Sequence, residues 1–228
     1  MPDILPSATA AASAEPGAPP GLEPEIQFED LRKQEHAVRF GIWIFVASEL
    51  LLFAGLFALY TAYRTEYRAG FAAGVHHAKL AIGTINTTLL VVSSFTAAQA
   101  LRALRRGGRR VCILLLLLTA GLGAVFLVLK GVEYGQHFDE GIYPGLYYAS
   151  RELPGYGAQL FFTLYYFMTG LHVLHLLAAV LVVLWLTSRV ARRKIGTAYH
   201  AGLEAGILYW HMVDCIWIFL YPLFYLLE

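Results

Sequence analysis

Five long apolar runs most constrain what this chain can fold into. Each is long enough to cross the ~30 Å hydrocarbon core of a bilayer as a helix that rises ~1.5 Å per residue. Backbone groups in lipid find no water to bond with, so each run must satisfy its hydrogen bonds internally, as a helix does. The sequence therefore predicts an all-α integral membrane bundle of five transmembrane helices, at about residues 40–63, 80–101, 111–132, 158–187 and 203–227.

Composition supports the membrane assignment. The 228 residues are 58% hydrophobic and 14% charged, whereas about 25% of the residues of a soluble domain are charged. A formal net charge of +1 gives no sign of nucleic-acid binding. Cys112 and Cys215 both lie inside apolar runs and form no CxxC pair. They are therefore interpreted as small buried apolar residues, and neither a disulfide nor a thiolate metal site is expected.

The first part of the chain differs from the rest. Residues 1–33 are rich in Ala, Pro, Ser and Glu, a composition that cannot bury a core, so we expect a disordered leader there. Residues 34–228 are expected to form the transmembrane domain. The leader lacks a basic segment followed by an apolar one, so it is not predicted to be a cleaved secretion signal.

Lysine and arginine residues near the ends of the runs predict the orientation. Cytoplasmic loops carry an excess of these residues, so we expect the N-terminus in the cytoplasm and the C-terminus outside. The side of the N-terminus carries Arg32, Lys33, Arg39, Arg102, Arg105, Arg106, Arg109, Arg110, Arg189, Arg192, Arg193 and Lys194. The opposite side carries only Arg64, Arg68, Lys79, Lys130 and Arg151.

A set of polar residues interrupts the apolar runs. Counted from the helix ends, all of them fall in one slab, roughly 13–22 Å from the inner boundary. Polar groups are costly in hydrocarbon, so we expect them to face one another inside the bundle. We predict a hydrogen-bonded layer that joins the first, fourth and fifth spans, with Glu49 paired to a histidine. The set comprises Glu49, Asn86, His172, His175, His211 and Asp214.

Each member of this set has a functional and a structural interpretation. Glu49 is either a functional or lipid-facing acid or a link between helices. His172 and His175 share a helix face at i, i+3, and haem or copper ligation competes there with hydrogen bonding between helices. The known haem and copper–haem sites need a larger or more widely spaced histidine set, which favours the hydrogen bond. For Asn86 and for the pair of His211 and Asp214, the structural interpretation is favoured.

Five blocks occur in an order typical of one family. They are IWIFVASELLLFAGLF, which contains Ser48 and Glu49, then GTINTTLLVVSS, KGVEYGQHFDEGI, TGLHVLHLLAAV and HAGLEAGILYWHMVDCIWIFLYPLFYL. The resemblance that rests on these blocks runs over nearly all of residues 36–226. The sequence resembles subunit III of the haem–copper oxidases, the cytochrome c oxidase subunit 3 family.

The resemblance implies a non-catalytic subunit of a respiratory terminal oxidase in the bacterial inner (plasma) membrane. Such a subunit holds no metal and contributes no catalytic residue to the oxidoreductase complex. It packs beside the haem-bearing catalytic subunit I and subunit II, which hold the haem and copper. It binds phospholipid, supports assembly and sustains proton uptake during aerobic electron transport. Glu49 matches the family's carbodiimide-sensitive glutamate, and His172 and His175 match its paired histidines. Further characteristic polar positions are Glu133, Glu204, His211 and Asp214, and Asn86, Glu133 and Glu204 are structural or lipid-contact candidates.

Two departures leave alternatives open. Seven-helix members carry two additional N-terminal helices and lipids in the cleft behind them, whereas only the leader precedes the first span here. The ending WHMVDCIWIFLYPLFYL, with Pro222, is similar to accessory proteins of nitric oxide reductase, so such an accessory subunit is the second hypothesis. A small proton-coupled transporter is the third, but inverted repeats or helices broken at mid-membrane are not evident.

Overall fold

The structure is a computed structural model that describes residues 30–150, 155–197 and 199–227. This part of the chain is helical, and no strand occurs in it. A short 3₁₀ turn, Gly145–Tyr147, lies between the fourth and fifth helices. The six α-helices are α1 Leu31–Glu66, α2 Arg68–His77, α3 Leu80–Arg105, α4 Arg109–Asp139, α5 Tyr156–Ala191 and α6 Ala201–Tyr225.

Five of these helices, all except α2, are long and apolar enough to cross a membrane. The predicted five-span bundle is thereby confirmed, while the predicted orientation of the termini stays a prediction. The helices extend beyond the apolar runs. α1 begins at Leu31, where the Asp30 side chain caps it by accepting a hydrogen bond from the Lys33 amide at 2.6 Å. The last residues of the predicted leader therefore belong to α1, and residues 1–29 and Arg151 lie outside the described residues.

Helices α3, α4, α5 and α6 form a closed ring in which each packs against two others. α1 lies outside this ring and packs mainly on α6. Its contact is a thin seam, because its fully buried residues, Val46, Phe53 and Tyr60, recur every seven positions. We call the end of the bundle where α1 and α6 begin the N-face, and the end where α1 and α4 finish the C-face.

The short helix α2 lies across the C-face and was not expected from the sequence. It packs against α5, and glycine residues lie at the contact. A Cβ atom added to Gly70 would stand 2.6 Å from the backbone of Gly157, and one added to Gly74 would overlap the Phe161 ring. Two helices approach this closely only where side chains are missing, so these glycines set the position of α2.

Candidate functional site

Glu49 of α1 and His175 of α5 meet inside the membrane-spanning part of the bundle. His175 Nε2 lies 2.9 Å from Glu49 Oε2. The side chain of Glu49 is 19% exposed and that of His175 is 15% exposed, so the pair is reachable from the surface of the bundle. The predicted pairing of Glu49 with a histidine is present in the structure.

The hydrogen bonds of His175 define how many protons the pair holds. Its Nδ1 lies 2.8 Å from the carbonyl oxygen of Leu171, which can only accept, so Nδ1 carries a hydrogen. Between Nε2 and the carboxyl oxygen there is then one proton. Either Glu49 is protonated and donates to a neutral imidazole, or the imidazolium donates to the carboxylate. Both forms carry no net charge, which lowers the cost of placing the pair in hydrocarbon.

Neighbouring groups hold the imidazole in this orientation. The Phe53 ring meets the His175 ring edge-on, with 5.5 Å between centroids. The hydroxyl of Tyr209 on α6 donates to the backbone oxygen of His175 at 3.1 Å. The pair therefore stands where α1, α5 and α6 meet, and α6 contributes to it through Tyr209.

His172 does not join this pair, and the predicted single layer is wrong in that respect. It is buried between Phe126 and Trp217, at centroid distances of 5.7 and 5.1 Å. Neither of its ring nitrogens has a hydrogen-bond partner within the described residues. Positions three apart on a helix differ by about 60° in direction, which is enough to direct His175 towards α1 and His172 into the ring of helices.

The polar residues of α6 form a second, separate group. His211 Nδ1 lies 2.6 Å from the Ser94 hydroxyl of α3. Asp214 and Asn86 are buried, and in the part of the chain that the structure describes their side-chain oxygen and nitrogen atoms form no hydrogen bond. His211 and Asp214 therefore face α3 and not Glu49, so the predicted layer is divided between two sides of α6.

A cluster centred on Lys130 was not expected from the sequence, where this lysine was counted among the charges of the outer side. Lys130 and Glu133 are 1% and 0% exposed, so this lysine is buried and is not a charge in a surface loop. α4 continues to Asp139, so Lys130 lies within the helix and not at its end. The i, i+3 spacing of Lys130 and Glu133 in an apolar helix was the signal that could have revealed the pair. We call Lys130, Glu133, Tyr165 and Tyr225 the Lys130 cluster.

Every charged atom of the Lys130 cluster has a partner. The ammonium donates to Glu133 Oε2 at 3.0 Å and to the hydroxyls of Tyr165 and Tyr225 at 2.8 and 2.6 Å. Both tyrosine hydroxyls donate in turn to Glu133 Oε1, at 2.8 and 2.6 Å. The ammonium also stands 5.1 Å from the Trp217 ring centroid. The cluster ties α4, α5 and α6 together with no donor left over, as a structural link would.

Glu204 lies at the N-face, where it joins three helices. Its Oε1 accepts from Arg105 at 2.6 Å and lies 3.0 Å from His200 Nε2, and its Oε2 accepts from Arg39 at 3.3 Å. The arginines belong to α3 and α1, and both side chains are more than half exposed. Glu204 thus orients two arginines at the membrane surface.

Among the described residues, no group of three or more His, Cys, Asp or Glu side chains could hold a metal ion. His172 and His175 point in different directions and share no third ligand. The arrangement is that of a multi-pass helical membrane protein with a proton-bearing acid–imidazole pair in its interior.

Comparison with known proteins defines the family. The model of cytochrome c oxidase subunit III matches residues 23–228. Cytochrome c oxidase subunit 3 of Synechocystis sp. is 33% identical over 82% of this chain and 75% of its own length. The subunit 3 of Thermostichus vulcanus is 34% identical, over 82% and 86%. Cytochrome bo(3) ubiquinol oxidase subunit 3 of Pseudomonas aeruginosa is 28% identical, over 82% and 84%. This chain belongs to the cytochrome c oxidase subunit III family.

Membership in this family confirms the resemblance found in the sequence. The relatives support a terminal oxidase subunit III, and a subunit of that kind forms a complex with other oxidase subunits. With five apolar spans, the protein is a multi-pass membrane protein.

Proposed function

We propose that this chain is the non-catalytic subunit III of a respiratory haem–copper terminal oxidase, and that it sustains proton uptake through the Glu49–His175 pair. The haem and copper belong to the partner subunits I and II in this proposal, and the chain takes part in their assembly. The observation that carries it is the one-proton geometry of the pair, with Nδ1 committed to Leu171. The three relatives described above are named as oxidase subunits, which favours this function over a nitric oxide reductase accessory subunit or a transporter.

The pair is suited to holding a proton near an uptake path. Gain of a second proton would leave the pair cationic, and loss of the shared proton would leave it anionic. Either change is costly in hydrocarbon unless a counter-charge moves close. In this proposal, proton uptake by a neighbouring oxidase subunit supplies such a change of charge beside the pair.

Bound phospholipid is part of the same proposal. Arg39 and Arg105 stand at the N-face with more than half of each side chain exposed. Guanidinium groups bind phosphate oxygens in pairs of hydrogen bonds. We place a phospholipid headgroup against these arginines, on the cytoplasmic side of a bacterial inner membrane.

The test uses the whole oxidase purified from detergent. Wild-type chain should co-purify with haem-bearing subunits, seen in an absorption spectrum. Glu49→Ala should leave that spectrum largely unchanged but should shorten the time over which the enzyme keeps its activity during turnover. Leu174→Ala, an exposed change on α5, is the matched control and should behave as wild type. An unchanged lifetime in Glu49→Ala would refute the proton role, and purification without haem would refute the oxidase assignment.

A further inference from the structure

The connection between α4 and α5 presents apolar and aromatic side chains at the C-face. The 3₁₀ turn Gly145–Tyr147 forms its tip, where 97% of Leu146 and 81% of Tyr147 are exposed. Tyr143, just before the turn, is 40% exposed. A single exposed leucine is ordinary on a protein surface, whereas large apolar side chains grouped together mark an interaction site. We call Tyr143, Leu146 and Tyr147 the loop tip.

Hydrogen bonds from α5 fix the backbone of this loop. The Gly145 amide donates to the Thr163 hydroxyl at 3.0 Å, and the side-chain amide of Gln159 donates to the Gly145 carbonyl at 2.8 Å. The Tyr166 hydroxyl donates to the Ile142 carbonyl at 2.8 Å. Gly145 has a φ of +63°, which residues with a Cβ atom rarely adopt. The loop tip is therefore held in one conformation by α5.

The loop tip lies on the outer surface of the bundle. Thr163, which holds it, points in nearly the same direction as Leu174 and Leu181, which follow about three and five helical turns later. Leu174 is 63% exposed and Leu181 is 59% exposed, and both belong to the membrane-spanning part of α5. The loop tip therefore stands above a side of α5 that faces outward within the membrane.

The depth of the loop tip can be estimated along α5. A hydrocarbon core of ~30 Å takes about 20 residues at ~1.5 Å each. Measured back from Leu186, the last apolar residue before Arg189, the core ends near Tyr166. Thr163 then stands about 5 Å beyond the core, inside the headgroup layer, which is ~5–7 Å thick on each side. Tyr156 stands about 15 Å beyond the core, outside that layer.

Helix α4 gives the same boundary independently. Phe138 stacks on the Tyr166 ring with 5.5 Å between centroids, and Asp139 and Glu140 follow it at the end of α4. Charged side chains avoid the hydrocarbon core, so the core also ends at this level on α4. Two helices thus place the loop tip among the lipid headgroups.

We propose that the loop tip inserts into the headgroup layer of the leaflet at the C-face and anchors the connection between α4 and α5 to the lipid surface. Leu146 reaches the upper carbons of the acyl chains. The rings of Tyr143 and Tyr147 suit a level at which one end of a side chain is apolar and the other is wet. The inference goes beyond the proposed function and does not depend on it, because it uses only the geometry of the spans.

Photo-crosslinking of the full chain in native membranes tests the anchor. A benzophenone amino acid replaces Leu146 in one variant and Leu174 or Tyr156 in two controls. Tyr156 is 61% exposed, which makes it a matched position outside the headgroups. After irradiation, mass spectrometry should find a lipid adduct in the Leu146 variant, with the new bond near the glycerol end of an acyl chain. The Leu174 control should bind lipid nearer the chain ends, and the Tyr156 control should bind none.

Three outcomes would overturn the anchor. The Leu146 variant could form no lipid adduct, as expected of Tyr156, which would place the tip in water. It could form a product with another protein in place of lipid, which would show that a partner covers the tip. Adducts confined to the chain ends would contradict the headgroup level. Co-purification of haem-bearing subunits tests the proposed function separately, so the two can fail independently.

Thr163 supplies a second measurement with a matched control. Thr163→Val removes the hydroxyl that accepts from the Gly145 amide, whereas Thr163→Ser keeps it. Loss of one hydrogen bond should lower the ratio of fixed to released loop about twofold to tenfold. We therefore expect a corresponding decrease in the lipid adduct from the Leu146 position in Thr163→Val and none in Thr163→Ser. Equal yields in the two variants would contradict the depth assigned to the tip through Thr163.

Discussion

Two acids within the spans of this bundle, Glu133 and Glu49, differ in burial and in the number of their hydrogen-bond partners. Glu133 is fully enclosed, and its two oxygens accept three hydrogen bonds from Lys130, Tyr165 and Tyr225. Glu49 is partly exposed, and among the described residues its hydrogen-bond partner is His175. A saturated carboxylate can change its protonation only by breaking the network around it. Glu133 therefore links helices within the fold, whereas Glu49 is the acid to which the proposed proton role is assigned.

The largest expected effect is a loss of stability when Glu133 loses its counter-charge. Lys130→Met would leave the Glu133 carboxylate buried without its counter-charge, and should lower the free energy of unfolding by about 3–5 kcal/mol. Unfolding in a mixed detergent titration, followed by circular dichroism, measures it. The double variant Lys130→Met with Glu133→Gln removes the stranded charge and should recover part of the loss. A double variant less stable than Lys130→Met would contradict the description of this cluster as a balanced ion pair.

A smaller loss of stability is expected at the Glu49–His175 pair. His175→Ala leaves the Glu49 carboxyl without its partner and should cost about 1–3 kcal/mol in unfolding free energy, because one hydrogen bond is lost from a partly exposed acid. The same detergent titration applies. Exposed Leu174 supplies the matched control as Leu174→Ala. If His175→Ala destabilised the bundle as much as Lys130→Met, the two sites would not differ as described.

Glu49→Gln separates stability from function at the same site. A glutamine amide can donate to the neutral His175 Nε2, so it imitates the protonated form of the acid but cannot release a proton. We expect near wild-type stability together with the same early loss of turnover as in Glu49→Ala. Nitrogen NMR of labelled His175 in the Glu49→Gln variant should show a neutral ring with the hydrogen on Nδ1. A ring in Glu49→Gln that carries its hydrogen on Nε2 and none on Nδ1 would disprove the one-proton geometry.

The smallest effect is expected at an acid outside the spans, Glu140 on the C-face. Its oxygens lie 2.8 Å from His77 Nε2 and 3.3 Å from Lys79 Nζ. Burial alone would raise the pKa of Glu140, but hydrogen bonds from His77 and Lys79 and their charges outweigh burial and hold the pKa below its usual value.

The sign of its pH dependence follows from that direction. An acid with a lowered pKa in the folded state stabilises it above the unfolded pKa of about 4.5, and this contribution is lost as the pH falls through the lower folded value. Glu140→Gln should therefore cost at most about 1 kcal/mol near neutral pH. The difference in melting temperature between Glu140→Gln and wild type should vanish in acid. A difference that persists below the folded pKa would show that Glu140 acts through packing.

The spans were predictable and the side-chain partners only partly so, for a physical reason. Length and apolarity define a membrane helix, and the fixed rise per residue gives the depth of each polar group. Depth brought Glu49 and His175 to one level correctly. The direction in which a side chain points depends on how each helix is rotated and how it crosses its neighbours, which the sequence does not show. His172, His211 and Asp214 therefore fell in the predicted slab but not in one layer.

Two other features were missed because they depend on contacts between parts of the chain that are distant in sequence. α2 is ten residues long and too short to register as a span, and its place depends on the close approach of Gly70 to Gly157. Lys130 looked like the end of an apolar run, since a lysine is costly within a membrane. Its burial makes sense only with the two tyrosine hydroxyls, which come from helices distant in sequence.

The thin seam of α1 has a consequence for the order of events during biogenesis. α1 is synthesised before the other spans, yet its buried residues form a narrow stripe with one residue in every seven. At the C-face the Tyr60 hydroxyl also donates to the Leu223 carbonyl at 2.6 Å. The four helices of the ring contact one another without α1 between them. Glu49 lies beside that stripe, three positions after Val46, so the acid contacts His175 only when α1 is packed against the ring. The Glu49–His175 pair therefore depends on the packing of α1 against α5 and α6.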